Sequence, residues 1–407
     1  MHKLRDGHQV RLLRGGADFF PALVQGIDAS VQEVRLETYI FCLDHAGVQV
    51  ASALVRAARR GVAVYLVVDG AGTPALDRQW AAQFDAAGVQ WRIFAFGAVG
   101  WFWPTRWRRL HRKLCVIDGA TVFCGGINVL HDLNDPNHGA LEAPRLDFAV
   151  RVTGPLVAEV VDTMSRFWWR LRAVQDVRRV ELPAAWAALQ ASVQSGALSD
   201  ARAGTTAPQD PGQARGGVRA GLLLRDNLRN RRRIELAYRR AIGAARDEII
   251  IASAYFLPGV RLHRALLHAA RRGVRVRLLL QGRYEYFMQF HAARPMYAAL
   301  LGAGAEIHEY APSFLHAKVA VIDGHWATVG SSNLDPLSLL LAREANVVVE
   351  DRGFAQELRA CLEQAMQTDG RLVDSASCRD RPWRHRLLDS VAFGLMRMML
   401  FLSRNSY

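Results

Sequence analysis

The sequence predicts an α/β protein built from two duplicated halves. Three observations carry this: a long self-similarity within the chain, an alternation of strand and helix signals in each copy, and one polar motif that occurs twice at the same spacing. The stretch from Val34, VRLETYIFCLDHAGVQVASALVRAARRGVAVYLVVDG, is similar to the stretch from Asp247, DEIIIASAYFLPGVRLHRALLHAARRGVRVRLLLQG. Both contain AARRGV, 212 residues apart. Internal repetition of this kind bounds the architecture before any single residue is weighed.

Each copy opens on a β-rich run, residues 35–42 and 248–256, followed by an amphipathic segment that ends in Arg-Arg-Gly. A nearly continuous apolar run comes next, residues 62–68 and 274–280. Glycine closing a helix just before a short buried strand argues for a parallel crossover unit. A second helix then ends at Gly88 or Gly304, and a further strand follows at 90–94 or 306–310. The expected organisation is a first half at 1–175, a flexible linker rich in Gly, Ala, Ser, Pro and Gln at 176–221, a second half at 222–375, and a basic amphipathic tail at 376–407. The run RDNLRNRRRIELAYRR, residues 225–240, reads as one helix with a solvated basic face at the front of the second half.

With 51% hydrophobic and 22% charged residues over 407 positions, the chain can bury a large core, which excludes wholesale disorder and a small disulfide-stapled scaffold. Its formal charge of +14 predicts attraction to polyanions, nucleic acid and anionic lipid surfaces alike. The five cysteines (Cys42, Cys115, Cys124, Cys361 and Cys378) show no CxxC spacing and read as core thiols in a reducing compartment. No signal-peptide core and no uninterrupted apolar run of ~20 residues is seen, so neither secretion nor bilayer spanning is expected. Lysine occurs only at Lys3, Lys113 and Lys318, although Lys and Arg together number 52.

Both internal lysines belong to the repeated motif. In the first half it is HRKLCVIDGATVFCGGIN, with His111, Lys113, Asp118, Gly125, Gly126 and Asn128. In the second it is HAKVAVIDGHWATVGSSN, with His316, Lys318, Asp323, Gly330, Ser331, Ser332 and Asn333. His and Lys alternate with apolar residues, so on a strand they share one face, and Asp-Gly marks a hairpin whose return strand brings Asn128 toward His111 and Asn333 toward His316. Such a cluster suits displacement at a phosphodiester. One neutral imidazole attacks phosphorus and a second, protonated one gives a proton to the departing alcohol, while lysine and asparagine surround the non-bridging oxygens. No cofactor and no metal is expected: HExxH, clustered Cys ligands and an aspartate-rich loop are all missing from the sequence. Asp118 and Asp323 belong to the motif, with holding the hairpin as their expected role. Gly126 stands where the second motif is read to carry Ser332, which predicts a hydroxyl contact to substrate phosphate on one side only.

The paired HxKxxxxD segments with their trailing GGIN and GSSN resemble the phospholipase D superfamily. ETYIF at 37–41, SAYF at 253–256 and VGSSNLDPLSLLLAREANV at 329–347 are similar to the bacterial cardiolipin synthases, the short type B subgroup in particular. The resemblance implies two α/β/α sandwich halves with mixed sheets, related by a pseudo-twofold axis around one shared active site. It implies His111 as nucleophile, His316 as general acid and base, and Asp147 (in LDFAV) and Glu344 (in REANV) as carboxylates that orient the histidines. It further implies phosphatidyl transfer that makes cardiolipin from phosphatidylglycerol, an anionic phospholipid, at the cytoplasmic face of the cell inner membrane. A phospholipase D-type hydrolase and a nucleic-acid phosphodiesterase of the same superfamily stay open as alternatives, nucleic acid being the less favoured partner.

Two segments fit a membrane surface. GAVGWFWPTRWRRLH, just before the first motif, interleaves Trp101, Phe102, Trp103 and Trp107 with arginines, as an interfacial loop requires. Residues 387–402 are strongly apolar but interrupted by Asp389 and Arg397, and they follow Arg381, Trp383, Arg384 and Arg386. Sixteen residues of helix span too little hydrocarbon to cross it, so an amphipathic helix lying in the plane of an anionic leaflet is expected.

Overall fold

The computed structural model describes residues 4–94, 109–178, 217–226, 230–283, 287–335 and 342–374, with short helical pieces within 184–191 and 384–398. The first half runs β1 (Arg5–Arg14), α1 (Gly15–Asp28), β2 (Glu33–Thr38), α2 (His45–Arg59), β3 (Ala63–Asp69), α3 (Arg78–Ala87), β4 (Gln90–Phe94), β5 (Arg109–Leu110), β6 (Lys113–Ile117), β7 (Thr121–Gly125), β8 (Asn134–Asp135), β9 (Gly139–Ala140), β10 (Phe148–Thr153) and α4 (Leu156–Arg178). The second half runs β11 (Val218–Arg225), α5 (Arg233–Ala244), β12 (Glu248–Ser253), α6 (Val260–Arg271), β13 (Arg275–Gln281), α7 (Phe287–Gly302), β14 (Glu306–Tyr310), β15 (Lys318–Ile322), β16 (Trp326–Gly330), β17 (Ala342–Glu350), α8 (Arg352–Thr368) and β18 (Gly370–Leu372).

The duplicated string AARRGV has a local reason to exist twice. It ends α2 and α6 at Gly61 and Gly273, whose φ angles of +88° and +89° favour glycine. The amides of Val62 and Val274 then bond back to the carbonyls of Ala57 and Ala269 at 3.2 and 3.1 Å. The second arginine of the string also caps the end of the preceding helix: Arg60 donates to the carbonyl of Ile27 at 3.0 Å, and Arg272 to that of Ala245 at 3.1 Å.

The strands of both halves form one mixed sheet, in the order β18-β14-β13-β12-β15-β16-β17-β11-β1-β10-β7-β6-β2-β3-β4. Each half repeats the other in mirror order about the β11–β1 junction, where Val218 pairs with His8 and Ala220 with Arg5 in antiparallel register. Helices α1 and α2 cover one apolar layer with Leu23, Val50 and Leu54 buried in it; α5, α6 and α7 cover the corresponding layer of the second half with Ile234, Leu266 and Leu300. A third layer belongs to both halves, with Val160 of α4, Leu358 of α8, Val150 of β10 and Val347 of β17 in a single cluster. Within it β7 also meets β17, Cys124 Sγ lying 3.8 Å from the Ala345 carbonyl, so the two halves are joined face to face as well as edge to edge. The pseudo-twofold α/β architecture is therefore the one the repeats predict.

Two local expectations need correction. Strand β11 begins at Val218, inside the span read as linker, because the small residues Ala220 and Gly221 that open its buried stretch look like linker composition. The arginine run is not one helix either: Arg225 closes β11, and α5 starts only at Arg233. Residues 192–216 of the expected linker, and Cys378, lie outside the described residues.

The motif hairpins form as expected. Asp118 and Asp323 adopt left-handed φ angles of 51° and 48° at the turns. Their carboxylates accept three backbone N–H bonds each, Asp118 from Val31, Gln32 and Glu33, Asp323 from Arg246, Asp247 and Glu248, all at 2.8–3.0 Å. Both therefore pin the hairpin to the start of the neighbouring strand, at the end away from the histidines. Either Asp118→Ala or Asp323→Ala is expected to lower unfolding free energy by about 2 kcal/mol, read from the denaturant midpoint, with turnover falling only in step with the folded fraction.

Candidate active site

Backbone pairing across the pseudo-twofold seam places both histidines. Strand β5 pairs in parallel with the start of β17, and the His111 amide donates to the Arg343 carbonyl at 3.1 Å. The related contact joins the segment before the second motif to the segment before β10: Leu315 bridges Leu146, and the His316 amide donates to the Leu146 carbonyl at 2.9 Å. Each histidine is thus delivered beside the carboxylate of the opposite half. His111 Nδ1 lies 3.0 Å from Glu344 Oε1 and 3.1 Å from Oε2, and His316 Nδ1 lies 2.6 Å from Asp147 Oδ2. Glu344 is fully buried and Asp147 3% exposed, so neither carboxylate has solvent as an alternative partner. The sequence had found both carboxylates; that they are exchanged between halves is new.

Lys113 and Lys318 are buried, and each ammonium donates to the carbonyl of the histidine two residues before it, at 2.7 Å for Lys113. Asn128 and Asn333 lie three residues past the return strands and are also buried; Asn128 Oδ1 accepts the Ile40 amide at 3.1 Å, and Asn333 Oδ1 takes no hydrogen bond among the described residues. The ring of Tyr39, within the ETYIF segment, lies 5.0 Å from the His111 ring and 5.5 Å from the Lys113 ammonium. Arg112, between the motif His and Lys, points the other way into a buried ion pair with Glu37, its Nη2 3.0 Å from Oε1.

The serine comparison is corrected by the geometry. Counting from each histidine, Gly126 corresponds to Ser331, while Ser332 corresponds to Ile127. The structure agrees: the Gly126 amide donates to the Phe148 carbonyl and the Ser331 amide to that of Ala345, both at 3.0 Å. Ser331 is therefore the residue missed. Its hydroxyl donates to Glu344 at 2.5 Å and accepts the Ala345 amide at 3.1 Å, so it serves the carboxylate rather than a substrate phosphate. Ser332 is buried with its hydroxyl near the Asn333 carbonyl at 3.4 Å. On the other side only glycine fits, since a Cβ at Gly126 would stand 2.2 Å from Asp147 Oδ1.

These differences split the two carboxylates electrostatically. Burial alone would raise Glu344, but His111, Lys113 and the Ser331 hydroxyl outweigh it and hold the carboxyl below its ordinary range. Burial pushes Asp147 up to about 7 against the opposing pull of Lys318 and the Phe148 amide. His316 is held well below the ordinary imidazole range by burial and by the two lysines, and burial lowers His111 too, against the pull of Glu344. Burial brings Lys113 down to about 7. His111 also contributes to lowering His316, after burial and the two lysines. Among the described residues no three His, Cys, Asp or Glu side chains gather as a metal cage.

Comparison with known proteins now has a geometry to meet. The family model described as "Cardiolipin synthase, PLD-like domain" matches residues 23–141 and 238–366, which contain both motifs. The chain is 35% identical to "Cardiolipin synthase B" of Escherichia coli strain K12 over 97% of its own length and 89% of that protein. This chain belongs to the cardiolipin synthase family of the phospholipase D superfamily. It is an enzyme of that superfamily, of the class that transfers phosphatidyl groups between phospholipids. "Cardiolipin synthase A" of Pseudomonas fluorescens is 31% identical, covering 87% of this chain and 68% of the relative. The fold is shared with the phosphatidylserine synthase of Haemophilus influenzae, at a TM-score of 0.66 and 12% identity, covering 98% of this chain and 96% of that one.

The aromatic residues Trp101, Phe102, Trp103 and Trp107 lie outside the described residues. Residues 387–395 are helical and docked rather than free: Asp389 pairs with His291 of α7 at 2.6 Å, and Ala392 packs with Leu257, Ala292 and Met296. Leu257 donates its amide to the Leu334 carbonyl at 2.9 Å, one residue past Asn333, so this helix flanks the site. Its outer face carries Leu387, Val391 and Leu395, continued by Met398, each 42% exposed or more. Among the described residues no helix is long and apolar enough to cross a membrane.

Because the folded state raises Asp147 above an unfolded aspartate, its contribution to stability is present at acid pH and is lost as pH rises from about 4 to about 7. Asp147→Asn is expected to raise the melting temperature, with a larger gain at pH 8 than at pH 5; calorimetry at the two pH values checks the sign.

Proposed function

We propose that the enzyme makes cardiolipin from two phosphatidylglycerol molecules by double displacement. His111 Nε2 attacks phosphorus, the bond to the glyceryl oxygen breaks, and the phosphatidyl group is held on His111 as a phosphohistidine while glycerol leaves. The Asp147–His316 pair supplies the proton that the departing oxygen needs. In the second half-reaction that pair takes a proton from the hydroxyl of another phosphatidylglycerol, whose oxygen attacks the same phosphorus and frees His111. Atoms and charge balance, since the proton lent in the first step returns in the second.

The observation that carries the assignment is the inequality of the two carboxylates. Glu344, kept ionised and hydrogen-bonded by Ser331, accepts the Nδ1–H of His111 and leaves Nε2 with a free lone pair for attack. Asp147, brought up to about 7, retains a proton near neutrality and suits the acid and base role through His316. A bound phosphodiester adds negative charge beside Lys113 and Lys318, offsetting the ammonium charges that depress His316. Lipid mass spectrometry of purified enzyme with phosphatidylglycerol vesicles tests the reading: cardiolipin and free glycerol are expected. Phosphatidic acid as the sole product would make it a hydrolase, and cleavage of single-stranded DNA without lipid product would move it to nucleic acid. His111→Ala is expected to abolish the acid-labile phosphatidyl adduct, whereas Glu344→Gln is expected to leave a folded protein with turnover reduced about 10²–10⁴-fold.

The same proposal gives the docked helix at 387–395 a membrane role. A lipid-cleaving site must sit at the bilayer surface, and the apolar row of Leu387, Val391, Leu395 and Met398 beside the site, with Arg384 at its start, fits an anionic interface. Val391→Asp with Leu395→Asp is expected to reduce sedimentation with vesicles containing phosphatidylglycerol by about tenfold or more, while activity on detergent-dispersed lipid persists. Equal sedimentation of the double variant and wild type would return the row to ordinary surface.

A further inference from the structure

Arg225 is a buried cation whose guanidinium makes no hydrogen bond among the described residues. It ends β11, is 2% exposed, and none of its three guanidinium nitrogens makes a hydrogen bond. Its position explains why such a group is tolerated. In the antiparallel ladder of β11 with β17, Arg225 stands directly opposite Glu344, and opposed residues of such a ladder project from the same face. Glu344 Oε2 takes the hydrogen bonds from His111 and Ser331, while Oε1, 3.0 Å from His111 Nδ1 in the same ion pair, takes no hydrogen bond of its own among the described residues. Glu344 is the negative charge that does most to keep Arg225 ionised against its burial, and Asp335, Arg231 and Glu235 are the other charged groups around it. His111 and Lys113 are the charged groups facing Glu344 from the first half.

The related place in the first half is occupied differently. Extending the register of β1 with β10 by one residue sets Gly15 opposite Asp147, and the Gly15 amide donates to the Asp147 carbonyl at 2.9 Å. A side chain there would meet a carboxylate, because a Cβ on Gly15 would lie 3.0 Å from Asp132 Oδ2. One histidine–carboxylate pair therefore has a guanidinium as cross-strand neighbour, and the other has an additional carboxylate.

We propose that Arg225 is a positioning residue, placed across the ladder from Glu344 to keep that carboxylate anionic and so hold His111 as a neutral imidazole with its proton on Nδ1. It touches no reacting atom in this role; it acts through Glu344. The lowering of Arg225 to about 10 by burial leaves it charged throughout the working pH range, as a fixed charge must be. The proposal rests on His111 being the nucleophile only for its catalytic consequence, and the electrostatic part stands without it.

The test measures protonation and turnover separately in full-length protein. Imidazole ¹⁵N spectra of ¹⁵N-histidine-labelled wild type, Arg225→Met, Arg225→Gln and Arg225→Lys are followed with pH, the His111 signals being identified by their loss in His111→Gln. Removing a positive charge makes proton binding to the Glu344–His111 pair easier, so both neutral variants are expected to move its midpoint upward by about one pH unit. Arg225→Lys is expected to stay within a few tenths of a unit of wild type. With phosphatidylglycerol vesicles, the acid limb of the kcat/KM profile should move by the same amount. Should one neutral variant fail to fold, the other carries the comparison. An unchanged midpoint in a folded neutral variant, or an equal rise in Arg225→Lys, overturns the proposal. A shifted midpoint in a protein that turns over no lipid would instead refute the lipid reading and leave the role of Arg225 intact.

Discussion

Everything in this enzyme depends on the exchange of carboxylates across the seam. Neither half can complete its own histidine: His111 needs Glu344, and His316 needs Asp147. A half standing alone would bury a carboxylate with no imidazole to face, a cost of several kcal/mol once one member of a buried pair is removed. The edge pairing of β11 with β1, the shared apolar layer, and the two backbone bonds from His111 and His316 to the opposite half all hold that exchange in register. Docking of the two halves is thus what satisfies both buried carboxylates.

On this symmetric scaffold the chemistry is made unequal by few substitutions. The backbone bonds of Gly126 and Ser331 are the same, yet only Ser331 can donate to its carboxylate. Glutamate and aspartate differ by one methylene, and Asp147 uses its shorter reach to accept the amide of Phe148 beside it at 2.8 Å. Arginine at 225 and glycine at 15 place opposite kinds of neighbour by the two pairs. Two histidines of common origin therefore face carboxylates shifted in opposite directions, Glu344 downward and Asp147 upward.

Much of this was legible in the chain. The strand–helix–strand grammar and the spacing of His111, Lys113 and Asn128 against His316, Lys318 and Asn333 are local signals, carried by periodicities of two and 3.6 residues and by glycine at helix ends. Asp147 and Glu344 came from the family resemblance, and Glu344 also from its place in an otherwise apolar run. What escaped was non-local. Nothing in the order of residues says that a carboxylate reaches the histidine of the other half, because that follows from β5 pairing with β17. Ser331 was passed over through a one-place slip between adjacent serines, which counting from the histidine would have prevented. The first four residues of β11 fall in the expected linker and Arg225 in the expected helix because a short, mostly buried strand shows little alternation, and an arginine beside other arginines looks solvated.

The scarcity of lysine has a physical cause in the same cluster. Lys113 and Lys318 are buried, and each folds back so that its ammonium meets a main-chain carbonyl only two residues away. A guanidinium could not replace it there: five donors in a rigid plane need several acceptors, and an arginine cannot shed its charge in an empty pocket. An ammonium is a compact point charge with three rotatable donors, and burial has brought Lys113 down to about 7, where proton loss and gain are both within reach. Entry of an anionic phosphodiester favours the charged form, so the positive charge around phosphorus is completed by the substrate that uses it. A chain that answers nearly every other need for a cation with arginine thus keeps lysine at the two places where the charge must be small and buried.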